Sequence, residues 1–492
     1  MIENRPYDAL EIGDTAEMRR VVTEDDLFAF AQVSGNRNPM HLPDFDIDQD
    51  GTPDAVAPAL WVGSLVSAVI GNRLPGPGTL YRSQSFRFLG RAQAGQELTV
   101  RVRVLEKAEG RAVRLATEVA AAGRPILDGE AWVIAPDRRL TFDDSVFPGL
   151  IVESHRHFDR LIALAEPLPA IRTAVVAPEE AGALAGALAA RDRTIIAPIL
   201  VGRGAAIRDL AARMGADLAG VEIVEAADDA AAAAAAVALV HDGRAQALMK
   251  GHLHTDVLLA AVLRREGGLR TGRRISHAFV MDVPGLDHLL MITDAAINIA
   301  PDLETKVDIV QNAIELGHSL GLAEPRVGVL SAVETVSPKI PSSLDAALLS
   351  KMAERGQIRG GLVDGPLAMD NAISPTAART KGLRSAVAGR AEILVVPNLD
   401  AGNMLAKNLT YSARAEGAGV VLGARVPIIL TSRADGEKAR LASCAVAALH
   451  HFAGLGGEPG LVAGVAGPGG NVAEASVPVT GTVAAPGPGG RA

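Results

Sequence analysis

One cysteine, Cys444, stands in 492 residues, so no internal disulfide can staple the chain, and a reducing compartment is its natural setting. Met1 to Leu10 lacks a basic segment followed by an apolar run; no secretory signal is expected there, and the cytoplasm is the expected location. Long apolar stretches are missing too. The longest uncharged one, Ala55 to Ile70, contains Pro58, Ser64 and Ser67 and falls about one helical turn short of a bilayer span. It reads as a buried helix. Positive charge is not in excess either: 48 Lys and Arg against 57 Asp and Glu give a formal charge of -9, which repels nucleic acid and anionic membrane. Neither is expected as a partner.

What is present is enough chain for two or three cores. Residues 1–145 read as helices followed by strands. Thr23 and Asp26 make an approximate capping box ahead of Leu27, Phe28, Phe30 and Ala31, which starts a helix. After the apolar helix, Pro75, Gly76, Pro77 and Gly78 break the chain. Strand-period runs follow at Leu98, Val100, Val102 and Val104, at Val113, Leu115, Thr117 and Val119, and at Ala131 to Ala135. That order predicts an α+β domain with the apolar helix wrapped by an antiparallel sheet.

From about Ile171 short apolar strands alternate with helices. Thr194 to Leu200 precedes Ala205 to Met214, and Val221 to Val224 precedes Asp228 to His241. Further strands are expected at Ala245 to Met249, Leu289 to Thr293, Arg326 to Leu330, Ile393 to Pro397 and Pro427 to Leu430. Alternation of this kind predicts an α/β region, 170–455, with parallel sheets in two lobes. Residues 146–169 are expected to be a linker with some helix around Ser154 to Ala165. The Gly, Pro and Ala-rich tail, 456–492, is expected to be disordered.

Several strand ends carry chemistry. Thr431, Ser432, Arg433 and Asp435 follow the run Val426 to Leu430 and precede a helix from about Gly436. A hydroxyl and a guanidinium at the carboxyl end of a strand suit an anionic ligand. Asp364 with Asp370 and Asn371, Asn398 with Asp400 and Asn403, and Lys250 with His252 and His254 follow strands in the same way. Any one of these turn residues could simply cap the next helix; convergence on one edge of a sheet is the expectation that gives them function. His252, His254 and Asp256 lack further ligands at metal-site spacing, so no metal is expected. Cys444, inside an apolar helical stretch, reads as core.

Val363-Asp364-Gly365-Pro366-Leu367-Ala368-Met369-Asp370-Asn371-Ala372, Ala401-Gly402-Asn403 and Pro427 to Arg433 resemble the phosphate acetyltransferase and phosphate butyryltransferase family. So do Met249 to Thr255 and Ile292 to Asn298. The Asp-Gly-Pro wording is closer to the butyryl branch. The resemblance implies transfer of a short acyl group between coenzyme A and inorganic phosphate, both substrates rather than cofactors, by a homo-oligomer. It implies active-site roles for Ser432, Arg433 and His254, with Lys250, Thr293, Asp294, Asp364 and Asn403 binding substrate. The acidic residue of the acetyl branch, proposed as the base for the thiol, falls on Ala439, which leaves Asp435 or Glu437. A regulatory acyl-CoA sensor is the rival reading.

Phe28 to His41, Leu74 to Thr79 and Ser83 to Phe88 resemble MaoC-like (R)-specific enoyl-CoA hydratases, which implies a hot-dog fold over about residues 8–135. That family pairs an Asp after Ser-Gly with a His five residues on. Here the His is His41 but the Asp position holds Asn36, and an amide accepts no proton at neutral pH. Either a neighbour such as Asp44 or Asp46 substitutes, or the domain binds and assembles without chemistry. Asp44, Asp46, Asp48 and Asp50 before Gly51 look like a calcium loop, but Ala55 stands where the closing Glu belongs.

Overall fold

The computed structural model describes residues 2–43, 55–143, 152, 154–431 and 435–455. Two units, Met1–Val152 and Glu153–Ala492, separate by their internal packing. The acidic loop 44–54, the pair Ser432 and Arg433, and the tail 456–492 lie outside the described residues.

The first unit contains β1 (Ile2–Glu3), β2 (Thr15–Val21), α1 (Glu24–Ser34), α2 (Ala59–Asn72), β3 (Leu80–Phe88), β4 (Glu97–Ala108), β5 (Ala112–Ala121), β6 (Arg124–Ile134) and β7 (Thr141–Phe142). Helix α1 starts where the capping box places it: Asp26 N donates to Thr23 Oγ1 at 3.1 Å, and Thr23 N to Asp26 Oδ2 at 3.0 Å. Five strands form an antiparallel sheet in the order β2-β4-β5-β6-β3, while β1 pairs with β7. Alternation along β4 and β5 turns Leu98, Val100, Val102, Val104, Val113, Leu115 and Val119 to one face, where they form one cluster with Val62, Leu65, Val66, Val69 and Ile70 of α2. A helix without charge is thereby buried by a sheet curled around it. This is the hot-dog arrangement.

The second unit opens with α3 (Arg156–Ala165), β8 (Ile171–Val176), α4 (Ala181–Asp192), β9 (Ile196–Gly202), α5 (Gly204–Met214), β10 (Glu222–Glu225), α6 (Asp229–His241), β11 (Ala247–Lys250) and α7 (Thr255–Val262). It continues with β12 (Ser276–Asp282), β13 (Leu290–Thr293), α8 (Leu303–Ser319), β14 (Arg326–Leu330), α9 (Pro341–Glu354), β15 (Leu362–Leu367), α10 (Met369–Ile373), α11 (Pro375–Thr380), β16 (Ile393–Val395), α12 (Leu399–Ser412), β17 (Glu416–Leu422), β18 (Ile428–Ile429) and α13 (Glu437–Gly454).

The expected parallel sheets are one sheet, with described order β10-β9-β8-β11-β18-β17-β12-β13-β16-β14-β15. Strands β10, β9, β8, β11 and β18 run parallel. Direction then reverses from β18 to β17, from β17 to β12 and from β12 to β13. Strands β16, β14 and β15 follow β13. The two parallel groups therefore run opposite to each other, joined by the hairpin strands β12 and β17, which the strand-helix rhythm did not reveal.

The helix of the expected linker belongs to the second unit. Phe158, Leu161, Ile162 and Ala165 are buried with Leu441, Ala445 and Leu449 of α13, and Phe158 N donates to Asp282 Oδ2 at 2.9 Å. Such a stripe cannot stay in solvent. Among the described residues no helix is long and apolar enough to cross a membrane.

Because Phe158 is fully buried in this cluster, Phe158→Ala should destabilise the second unit by about 3–5 kcal/mol. Urea unfolding followed through that unit's transition measures it, and a loss below about 1 kcal/mol would mean that α3 is not part of its core.

Candidate active site

In an open parallel sheet, ligands bind beyond the carboxyl ends of the strands where the strand order reverses. From β8 the chain adds β9 and β10 on one side, then returns to place β11 on the other. The switch point thus lies between β8 and β11. Gly251 N donates to Val176 O at 2.8 Å and His252 N to Ala177 O at 2.6 Å, drawing the two strand ends together. A Cβ at Gly251 would collide with both carbonyl oxygens, so only glycine fits. Lys250, the last residue of β11, is buried, and its ammonium donates to Gly251 O at 3.3 Å. His254 is the N-cap of α7 yet makes no side-chain cap bond. Of the amides in that first turn, Val257 N donates to His254 O at 3.2 Å, at a positive helix end with His252 and His254 exposed beside it.

Across the crevice, Glu180 accepts from Gly182 N at 3.0 Å and Ala183 N at 3.1 Å. The Gly182 amide above all holds its carboxyl below the usual range. For Glu179, burial pushes the other way and is outweighed by Arg203, whose backbone N, Nε and Nη2 donate at 2.7, 3.2 and 2.9 Å. Both carboxylates are spoken for.

The next strand over, β18, delivers Thr431. This residue is buried and accepts from Arg440 Nη1 at 3.2 Å, while Arg440 Nε donates to Asp435 O at 3.3 Å. One guanidinium on α13 therefore ties down both flanks of residues 432–434. Its stem lies over Gly186, where a Cβ would come within 2.7 Å of Arg440 Cδ. Arg440 was not singled out from sequence, although a lone Arg in an otherwise apolar helix was the available signal. Cys444, on the same helix, is fully buried, and burial pushes its thiol up to about 12; it is core.

The other expected ligands do not join this crevice. Thr293 ends β13, and Asn398 and Asp370 follow β16 and β15, strands that run opposite to β11 and β18. They leave the sheet at the other strand end, so the expected convergence on one edge fails. Asp294 is 2% exposed. Its carboxylate accepts from Ala296 N, Ile297 N and Asn298 N at 2.9, 3.0 and 3.1 Å and from Asn298 Nδ2 at 2.6 Å. It closes a turn, and Thr293 Oγ1 is likewise spent on His277 O at 2.9 Å. Asp364 lies inside β15, opposite Gly328, and accepts from Gly365 N at 2.8 Å. Asn403 Nδ2 reaches Ala295 O at 3.4 Å, so Asn403 and the Asp294 turn do meet, as a second cluster.

In the first unit, His41 Nδ1 lies 2.8 Å from Val56 O. A carbonyl only accepts, so the proton sits on Nδ1 and Nε2 keeps its lone pair. His41 borders a cavity of about 130 Å³ with Met40, Val62, Phe88 and Ile126. Asn36 is exposed, is not in that lining, and accepts from Asn38 N at 3.2 Å. Asp44 and Asp46 lie outside the described residues. Among the described residues no group of three or more His, Cys, Asp or Glu is placed to hold a metal ion.

Residues 229–448 match the family model described as phosphate acetyl/butaryl transferase, and residues 10–122 match MaoC like domain. A phosphate acetyltransferase of Rhizobium meliloti is 60% identical over 293 residues, covering 60% of this chain and 93% of the relative. A phosphate butyryltransferase of Clostridium beijerinckii is 42% identical over 294 residues, covering 60% and 97%. The crystal structure of a branched-chain phosphotransacylase from Enterococcus faecalis V583 is 31% identical, covers 57% of this chain and 99% of its own, and aligns with a TM-score of 0.50. Identity runs higher to the acetyltransferase than to the butyryltransferase, the reverse of what the Asp-Gly-Pro wording implies.

His277 supplies a pH test of the second cluster. It is fully buried, and burial pushes its imidazole down to about 4, the Asp294 carboxylate offsetting only part of the shift. The folded value lies below the unfolded one, so the unfolded chain takes up the proton first as pH falls. Stability held by the neutral ring is complete above about 6.5 and is lost towards about 4, by about 3 kcal/mol. His450, also pushed down to about 4, adds a second such group. Burial pushes His157 and His451 down as well, so His277→Gln should remove about 3 kcal/mol of the loss between pH 6.5 and pH 4 measured by urea unfolding of the second unit, which is less than half of the whole; an unchanged loss would contradict the assignment.

Proposed function

The chain belongs to the phosphate acetyl/butyryl transferase family, and from that premise we propose that its second unit exchanges coenzyme A for inorganic phosphate on a short acyl group at the crevice between β8, β11 and β18. The observation that carries this reading is the switch point at Gly251, flanked by the N-terminus of α7 and by Arg440, which bonds Thr431 and Asp435 on either side of residues 432–434. In the direction that consumes acyl phosphate, a base takes the thiol proton of coenzyme A and the thiolate attacks the acyl-phosphate carbonyl. The C–S bond forms, the C–O bond to phosphorus breaks, and phosphate leaves with its electron pair. No acyl-enzyme and no cofactor are needed.

Arg433 is assigned to the phosphate, Ser432 to the developing oxyanion, and Lys250 and His254 to the anionic groups of the substrates. The base is assigned to Asp435. The acetyl-branch position is Ala439, which is buried, whereas Asp435 lies two residues ahead of α13, next to its N-cap Gly436. Thr293, Asp294, Asp364 and Asn403 receive no contact with substrate in this reading, because their polar atoms bond within the protein. Cytoplasmic residence is proposed on the unpaired, buried thiol. Self-association is proposed on edge strand β3, where Leu80, Tyr81 and Phe88 are exposed.

For the first unit the reading favoured by Asn36 is an acyl-CoA-holding module without hydration. A cavity of about 130 Å³ beside His41 accommodates a short acyl group, and the missing carboxylate removes half of the acid-base pair.

Acyl-phosphate formation from acetyl-, propionyl-, butyryl- and crotonyl-CoA, with and without phosphate, tests the transferase directly; no turnover with any of them would refute it. Arg433→Lys should raise the KM for phosphate about tenfold or more and that for acyl-CoA far less, because a point charge cannot replace bidentate guanidinium contacts. Equal effects on both constants would reject the phosphate assignment. Crotonyl-CoA hydration should be negligible in the parent, since general acid-base help of about 10²- to 10⁴-fold has lost one partner, and Asn36→Asp should raise it. Fast parental hydration abolished by His41→Ala would make the first unit a second active enzyme.

A further inference from the structure

At the opposite strand end from Thr431, the turn between β17 and β18 borders a cavity of about 440 Å³ that the transferase reading does not use. Its volume falls within the range of about 300–1,000 Å³ usual for small-molecule sites. Thr271, Arg273, Asn312, Glu315, Gly423 and His450 are among its walls.

The hydrogen bonds in those walls fix what is left to offer. Thr271 Oγ1 donates to Gly423 O at 2.6 Å, which closes one side. Asn312 Nδ2 donates to Arg274 O at 3.1 Å and to Ser276 Oγ at 2.9 Å. A carbonyl can only accept, so the amide nitrogen is on that side and Oδ1 is on the other. Asn312 is 2% exposed, and among the described residues nothing donates to its Oδ1. Ser319 Oγ gives its hydrogen to Glu315 O at 2.8 Å, so towards His450 Nδ1, at 2.9 Å, it can only accept. His450 therefore carries its proton on Nδ1 and keeps a lone pair on Nε2. Burial pushes this imidazole down to about 4, so the ring is neutral at neutral pH.

Three residues that line the cavity then carry acceptors: Asn312 Oδ1, His450 Nε2 and the carboxylate of Glu315. A primary ammonium brings three N–H donors and a positive charge. Arg273, bonded to Glu315 through Nη1 at 2.5 Å, has further N–H donors in the same wall, which suit a carboxylate. We propose that this cavity binds a free α-amino acid as its zwitterion, with the ammonium towards Asn312, His450 and Glu315 and the carboxylate towards Arg273.

The position of the cavity makes that ligand an effector. It borders the turn that leads into β18 and, through His450, the helix α13. Those two elements flank residues 432–434 in the chain, so occupation reaches the segment assigned to phosphate. This last step rests on the transferase reading; the binding site does not.

Calorimetric titration of the full chain with each protein-forming amino acid at millimolar concentration tests the site. At least one should bind, and its primary amine lacking the carboxylate, or its carboxylic acid lacking the amine, should bind about tenfold more weakly. Glu315→Gln and Arg273→Gln should each weaken binding about tenfold and leave acyl-phosphate formation without amino acid unchanged. Both side chains are partly exposed, at 44% and 39%, so neither change opens the core. Binding by no amino acid, binding as tight by the amine or the acid alone, or binding untouched by both substitutions would each overturn the site. A bound amino acid that leaves the transferase rate unchanged at subsaturating phosphate would reject the effector role.

Discussion

The second unit depends on the antiparallel seam that β17 makes between β18 and β12. Seven pairs, from Ser276 opposite Leu422 to Asp282 opposite Glu416, lock β12 to β17, and Val420 with Ile429 locks β17 to β18. Because side chains alternate, this register turns Ala278, Val280, Ala418, Val420 and Leu422 towards α13, all in one core. Slipping by one residue would exchange that face for His277 and the glycines of β17. The seam requires glycine at position 419, where a Cβ would collide with the Leu430 carbonyl. It also reverses strand direction an odd number of times, and that parity decides which loops can share a ligand.

Legibility from sequence follows the same division between local and distant causes. The capping box at Thr23, the uncharged helix α2 and the strands Arg326–Leu330 and Ile393–Val395 stand where their local signals place them, because cap chemistry and periodicity act within a few residues. Strand β17, Glu-Gly-Ala-Gly-Val-Val-Leu, reads locally as a loop, since glycine weakens a strand unless a partner backbone demands it. Its partners lie far away in sequence, so no local pattern reports them. Direction is non-local as well: Asp294 and Lys250 both follow apolar strands, and only the pairing sends one to each end of the sheet. What sequence motifs reported was the set of structured strand ends, not which of them meet.

Helix α13 illustrates how one residue can join both levels. Its run Ala439 to Leu449 is buried almost throughout, yet Arg440 lies within it at 5% exposure. A guanidinium is costly to bury unless its donors are used. Arg440 uses them on Thr431 and on the Asp435 carbonyl, and its stem fits because Gly186 leaves room. The small residue on α4, the charge on α13 and the hydroxyl after β18 therefore form one device. Its evident result is that Thr431 and Asp435, on either side of residues 432–434, are tied to one guanidinium.

A formal charge of -9 runs against the anionic substrates proposed, but net charge is a poor guide to a site. At physiological salt the field of an exposed charge fades over about 8 Å, so what counts is what stands in the crevice. There Glu179 is neutralised by Arg203 and Glu180 by two amides of α4. The Lys250 ammonium sits buried at the end of β11, and α7 starts without a side-chain cap from His254, Val257 N turning instead to the His254 carbonyl at 3.2 Å. With its acidic residues paired, this end of the sheet adds little negative field of its own within a negative protein. Local balance of this kind, more than the total, decides whether an acidic chain can hold an anion.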